Sequence, residues 1–192
     1  MISFAIVVAA GAVAGWAQGG RLKNVSGSAL ALLPVIWLAL ALQLGAQFIP
    51  AERSMIAYGL VIASYAAVFA FAGANWRVAG MPLIALGGAM NYLVILLNQG
   101  MPVSPEMIAR VGVDVENARA VIRGKHVLAT DGTHLPVLGD RIPLFGEIVS
   151  VGDLVILAGI LLVVQGLMKR RGRGGNARQV IDLRDEIVAP KR

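Results

Sequence analysis

Two carboxylates, Asp140 and Asp153, stand on the threshold of a long apolar run, in the stretch LPVLGDRIPLFGEIVSVGDLVILAGILLVV that begins at Leu135. Two carboxyls can share a proton and activate a water molecule when they approach within hydrogen-bonding distance, because like charges that close cannot both ionise cheaply. The intervening loop permits that approach without requiring it. Each residue also has a structural reading. Ser150 precedes Asp153 by three positions, immediately ahead of the apolar run, in the S-x-x-D form of a capping box. There the hydroxyl accepts from a first-turn N–H and the carboxylate reaches back to the cap residue, meeting the positive end of the helix dipole. Asp140, in LGDRIP beside Arg141, reads as a turn aspartate that bonds its own backbone or pairs with Arg141, and it is the better functional candidate of the two. His126, His134, Asp131 and Asp140 offer imidazole and carboxylate suited to zinc or another divalent ion. The spacing of the histidines matches no established ligand pattern, and a metal needs three or four convergent ligands, so neither a metal nor a cofactor is expected.

The elements that must position these groups are hydrophobic. Residues of the apolar class make up 57% of the chain and charged ones only 15%, and the mean hydropathy is +0.74, the balance of an integral membrane protein. The absence of cysteine removes disulfides and thiolate sites. Taking charges as boundaries, apolar segments fall at roughly 2–18, 29–49, 55–74, 80–97 and 151–168, each near the length that spans a bilayer. The expected architecture is therefore an all-α membrane protein of about five transmembrane helices. It divides into a four-helix region over 1–97, an extracytoplasmic lid over 98–149, a fifth helix over 150–168 and a basic tail over 169–192. The first segment ends near an Ala-Val-Ala triplet that resembles a signal-peptidase site, but no Lys or Arg precedes it, so it is expected to be retained.

Net charge is +6, and eight of the 17 basic residues follow residue 168. That distribution is a topology signal. Arg21, Lys23, Arg77, Lys169, Arg170, Arg171 and Arg173 mark connections and a tail held in the cytoplasm. With five spans the N-terminus and the 98–149 segment then lie outside a cytoplasmic (inner) membrane, with the C-terminus inside. The tail cluster should attract anionic lipid headgroups. Nucleic acid is not expected, because no aromatic residue follows Phe145 to stack on a base.

Within the helices, Gly11, Gly15 and Gly19 recur every fourth residue, a stripe that lets a neighbouring helix approach closely. Asn91 lies mid-span and needs a hydrogen-bond partner in hydrocarbon. Gln43, Gln47 and Gln165 are the candidates for it, with a polar site between helices as the alternative. No charged residue lies deep in any span, which counts against a proton or ion path through this chain alone. A role as a subunit of a larger transport complex stays open.

The 98–149 segment is too long to be only a link. Ser104 and Pro105 begin a short helix, and Asp114 caps another over 115–123. Asp131-Gly132 signals a hairpin turn between two extended runs, the second made irregular by Pro136.

The stretches NQGMPVSPEMIARVG, KHVLATDGTHLPVLGDRIPL and VSVGDLVILAG, in this order between two hydrophobic helices, and the opening helix followed by GGRLKNV, resemble a bacterial polytopic membrane-protein family catalogued as domain of unknown function 5317. The resemblance covers most of residues 1–168 and not the tail. It implies that Asn98, Gly100, Met101, Pro102, Val103, Ser104, Leu138, Gly139, Asp140, Ile142, Pro143, Ser150, Gly152 and Asp153 match the family pattern, and it supplies no reaction and no ligand. The expected function is that of a non-enzymatic binding or accessory membrane component, using its outer lid on a partner protein, a lipid or a small ligand. Asn98, Met101, Ser104, Asp140 and Arg141 are the candidates at the lid and mouth. The alternative is an aspartate-dependent hydrolase at the outer face using Asp140 and Asp153, loosely similar to the lipoprotein signal peptidases, whose full motifs are missing here.

Overall fold

A computed structural model describes residues 2–26, 30–49, 54–110 and 125–169. The chain is mostly helical, with α1 (Ile2–Ala17), α2 (Lys23–Ser26), α3 (Leu33–Gln47), α4 (Ser54–Ala74), α5 (Met81–Asn98), α6 (Pro105–Arg110) and α7 (Val151–Lys169). Among the described residues between α5 and α7 lie four short strands: β1 (Met101–Val103), β2 (His126–Leu128), β3 (Ile142–Leu144) and β4 (Glu147–Val149). Helices α4, α5 and α7, of 21, 18 and 19 residues, are long and apolar enough to cross a membrane, while α1 and α3 are apolar but shorter. A helix satisfies its backbone groups internally, which is what an apolar segment in lipid requires.

Neighbour relations run α1–α7–α5–α4–α3 across the bundle. Helices α5 and α7 are antiparallel and meet along a seam of glycines spaced seven apart on each, Gly80 against Gly159 and Gly87 against Gly152. A Cβ on Gly159 would stand 2.8 Å from the Gly80 carbonyl oxygen, and one on Gly87 would stand 2.8 Å from the Ile156 side chain. Such spacing lets backbones touch, so dispersion contacts hold the pair without any hydrophobic drive from water. Gly11 and Gly15 do the same for α1, packing on Leu161, Val164 and Met168 of α7. Gly19 does not belong to that stripe. Nothing lies within 4 Å of its Cβ position, and with φ of +82° it ends the α1 region in a left-handed turn.

The ends are sorted. At one end, the backbone N–H of Arg21 and the Asn24 amide both donate to the last-turn carbonyl of Met168, at 3.0 and 2.7 Å. There too the Asn75 side chain ties the end of α4 to the approach to α3, accepting from Ala31 N–H and donating to the Ala31 carbonyl, each at 2.9 Å. Arg21, Lys23, Arg77 and Lys169 fall at this end, as do the exposed Trp16, Trp37 and Trp76. At the other end Glu147 of β4 caps α1, accepting from the N–H groups of Ile2 and Ser3 and from the Ser3 hydroxyl at 3.0, 3.2 and 2.6 Å. A carboxylate at that position satisfies otherwise unpaired donors and meets the positive helix end.

The segment between α5 and α7 differs in detail from expectation. Its hairpin is not at Asp131-Gly132: β3 and β4 form it, turning at Phe145 and Gly146 with φ of +49° and +79°, the left-handed pair a two-residue turn needs. The run after Lys125 instead becomes β2, parallel to β1. Parallel strands cannot be joined by a tight turn. The second extended run expected around Pro136 is instead a 3₁₀ turn over Pro136–Leu138, because proline lacks a ladder donor and its fixed φ suits a turn. The Pro105 helix forms as α6. The helix expected over 115–123 and the basic tail beyond Lys169 lie outside the described residues.

Candidate functional site

At the end of the bundle where α5 stops and α7 starts, three residues close a ring of four hydrogen bonds. The Ser150 N–H donates to Asp153 Oδ2 at 3.1 Å, and the Asp153 N–H donates to Ser150 Oγ at 2.9 Å, which is the reciprocal capping box read from the sequence. The same groups also reach another helix. Asn91 Nδ2 donates to Asp153 Oδ1 at 2.7 Å, and Ser150 Oγ donates to Asn91 Oδ1 at 2.9 Å. Asn91 therefore finds its partner in the α7 cap and not in a glutamine. Gln43 bonds instead to Ser64, at 3.1 Å, and Gln165 lies against Gly15 of α1. Gly152 makes the ring possible, since a Cβ there would collide with the Asn91 carboxamide and stand 2.8 Å from the Gly87 carbonyl. The Tyr65 hydroxyl of α4 lies against the Asn91 amide, so three helices meet at one polar point.

Asp140 arrives from the other side. Its backbone is threaded onto β1: its N–H donates to the Pro102 carbonyl at 2.8 Å, and its carbonyl accepts from Ser104 N–H at 3.2 Å. The residue is 2% exposed. Its carboxylate does not pair with Arg141, whose N–H instead joins the hairpin through Val149. Oδ2 faces His126 Nε2 at 3.4 Å, and Oδ1 is buried with no hydrogen-bond partner among the described residues. The reason is positional: Arg141 follows Asp140 into an extended strand, and successive side chains of a strand point to opposite faces.

Lys125 lies within electrostatic reach of both carboxylates. Burial alone would push its ammonium down, but Tyr65, Asp153 and Asp140 outweigh that and hold it above the ordinary lysine value. The positively charged form is the one this neighbourhood stabilises. Sequence reading passed over Lys125 and Tyr65. The only signal for Lys125 was its position before the strand run, and Tyr65 sits in an apolar helix with nothing local to mark it.

The remaining mouth residues separate into packing and bridging roles. Met101 is fully buried in a cluster with Ala46, Val61, Tyr65 and Ile95, so it is a plug that seats β1 on α3, α4 and α5. Ser104 begins α6 through its carbonyl, which accepts from Met107 and Ile108 N–H. Asn98 bridges the end of α5 to the loop: Nδ2 donates to the carbonyls of Val94 and His134 at 2.8 and 3.0 Å, and Oδ1 accepts from His134 N–H at 2.8 Å. That bridge turns the His134 backbone toward α5. Among the described residues no group of three His, Asp or Glu is placed to hold a metal ion.

Beside Asn98 is a pocket of about 330 Å³, bounded by the end of α5, β2 and the turn at 130–134. Asp140 and Asp153 do not line it.

No curated protein and no solved structure matches the chain. A family model matches residues 27–165, which takes in the Asn91 ring, the Lys125 cluster and the pocket, and the chain therefore belongs to the family of unknown function DUF5317.

Proposed function

We propose that the protein is a multi-pass protein of the cytoplasmic membrane that works as a non-enzymatic binding component through the platform built by residues 98–149. Five helices cross the membrane in this reading, with the N-terminus and platform outside and the C-terminal tail inside against anionic headgroups. Its units are the helices of 1–97, the platform, the helix of 150–168 and the tail. The sorting of Arg21, Lys23, Arg77 and Lys169 to one end supports this orientation. The tryptophans at that same end support it as well, since their amphipathic rings favour the headgroup level. Helices α1 and α3, with 16 and 15 residues, rise only about 24 and 22 Å. The apolar flanks of α3, Leu30 to Leu32 and Phe48 with Ile49, lengthen it toward a hydrocarbon core of about 30 Å, and a shorter span such as α1 is met by local thinning of the bilayer.

The observation that carries the binding reading is the saturation of the Asn91–Ser150–Asp153 ring. Both oxygens of Asp153 are engaged in that ring, Oδ1 by the Asn91 amide and Oδ2 by the Ser150 N–H, which leaves neither free to share a proton with a second carboxyl. A hydrolytic dyad needs one carboxyl to hold a proton. The ring fastens the start of α7 to α5, at the end of the bundle that carries the platform. One specific observation favours the hydrolase as a second reading: Asp140 and Asp153 both act on Lys125, and Asp140 Oδ1 has no partner among the described residues.

A photo-crosslinking residue placed at Thr133 in living cells separates the two readings. Binding predicts a discrete adduct that Asp140→Asn leaves unchanged. An adduct that appears only in Asp140→Asn, as a trapped substrate would, moves the hydrolase to first place, and no adduct in either chain ends the binding reading.

A further inference from the structure

The pocket beside Asn98 carries its own chemical signature. Its apolar wall is Leu97, Val127 and Leu128, and Gln99, Thr130 and His134 face it with polar side chains. Among the described residues no Lys, Arg, Asp or Glu lines it. Two of its other polar groups are already occupied: Asn98 by the His134 backbone, and the Thr133 hydroxyl by the Thr130 N–H at 2.8 Å. The Gln99 amide, the Thr130 hydroxyl and the His134 ring have no hydrogen-bond partner among the described residues. Gln99 is held in place by the backbone, capping α5 with φ of +55° and its N–H on the Ile95 carbonyl. Leu97 and Leu128 are partly exposed beside these groups, at the end of the apolar helix.

We propose that this pocket binds a neutral polyhydroxyl group, of the kind found in a free sugar or in a glycolipid headgroup. A volume of about 330 Å³ is at the lower end of small-ligand sites and suits one ring. Hydroxyls both donate and accept, matching an amide, a hydroxyl and an imidazole that together do both. The C–H face of a sugar ring or a glycerol backbone meets the apolar wall. A charged ligand finds no countercharge there and would lose hydration without return. This inference rests on the platform being a binding surface, and names what it binds.

The test uses the full chain in phosphatidylcholine nanodiscs, followed by thermal unfolding. One arm adds monoglucosyl diacylglycerol to the bilayer, and the other adds free glucose to the buffer. A ligand that binds the folded state raises Tm, so the expected result is a rise in one or both arms, the arm identifying the source. Thr130→Val and Gln99→Leu should each weaken the apparent affinity about tenfold, the cost of one lost hydrogen bond of about 1.4 kcal/mol. Both sites lie on exposed loop positions, so the variants should unfold like the parent without ligand. No Tm rise in either arm, or a rise that both variants keep in full, overturns the proposal. If the Thr133 crosslinker still captures a molecule while both arms fail, the ligand class is wrong and the platform stands; if it captures nothing, both readings fall.

Discussion

The α5–α7 seam and the polar mouth above it lie on the same two helices, and they are held by opposite means. Along the seam Gly80, Gly87 and Gly159 bring backbones into contact with no side-chain hydrogen bond between them. At the mouth Asn91, Ser150 and Asp153 engage one another completely, and the side chains of Asp140 and His126 face each other nearby with Lys125 in electrostatic reach. Shape holds the first region and partner count holds the second. Gly152 belongs to both, because the missing side chain gives Asn91 its room and lets Gly87 approach. The seam thus brings Asn91 within reach of Asp153, and the ring fixes the register of the two helices. An error in one should be felt in the other.

The largest test of that coupling is Gly152→Val. Overpacking costs about 1–3 kcal/mol and a buried polar group left unpaired about 1–3 kcal/mol, so the expected loss is about 4 kcal/mol in all. The measurement is denaturation in nanodiscs. Gly59→Ala is the control, because nothing lies within 4 Å of that Cβ position; it should be neutral or slightly stabilising through helix propensity. Equal losses at the two glycines would break the claim that close approach is what matters.

Next in size is Lys125→Met, which removes the cation that acts on buried Asp140 and half-buried Asp153 and should cost about 3 kcal/mol. The pH dependence has a definite sign. The folded state holds the ammonium above its ordinary value. Its contribution is therefore fully present below the unfolded value of about 10.4 and is lost as pH rises through the folded one. Stability scans against pH should show an alkaline loss in the parent chain that is missing from the variant; an unchanged alkaline limb would detach Lys125 from the mouth.

Smallest is Ser150→Ala, at about 1 kcal/mol for a lost cap. Combined with Asn91→Ala in a double-mutant cycle it should be non-additive, since the two side chains share a bond of 2.9 Å. Additive losses would reduce the ring to two independent contacts.

Much of this was legible locally. The capping box at Ser150 and Asp153 needs only the adjacent helix, and its geometry follows from spacing along one chain segment. The short α6 and the packing use of Gly11 and Gly15 were legible for the same reason. The hairpin was misplaced because Asp-Gly is a strong local turn signal, whereas the observed turn uses Phe145, a residue that rarely adopts positive φ. Its choice depends on β4 delivering Glu147 to the start of α1.

What the sequence by itself determined is the apolar, helical character of the chain, the sorting of its basic residues along it, and the capping of α7, because each depends on composition or on neighbours within a few residues. Only the tertiary structure decided that Asn91 meets Asp153, that Asp140 turns from Arg141 to His126, and that Lys125 comes within electrostatic reach of both carboxylates. Those pairings join residues far apart in sequence. They are set by glycine contacts and strand register, whose choice of partner is made when whole helices pack.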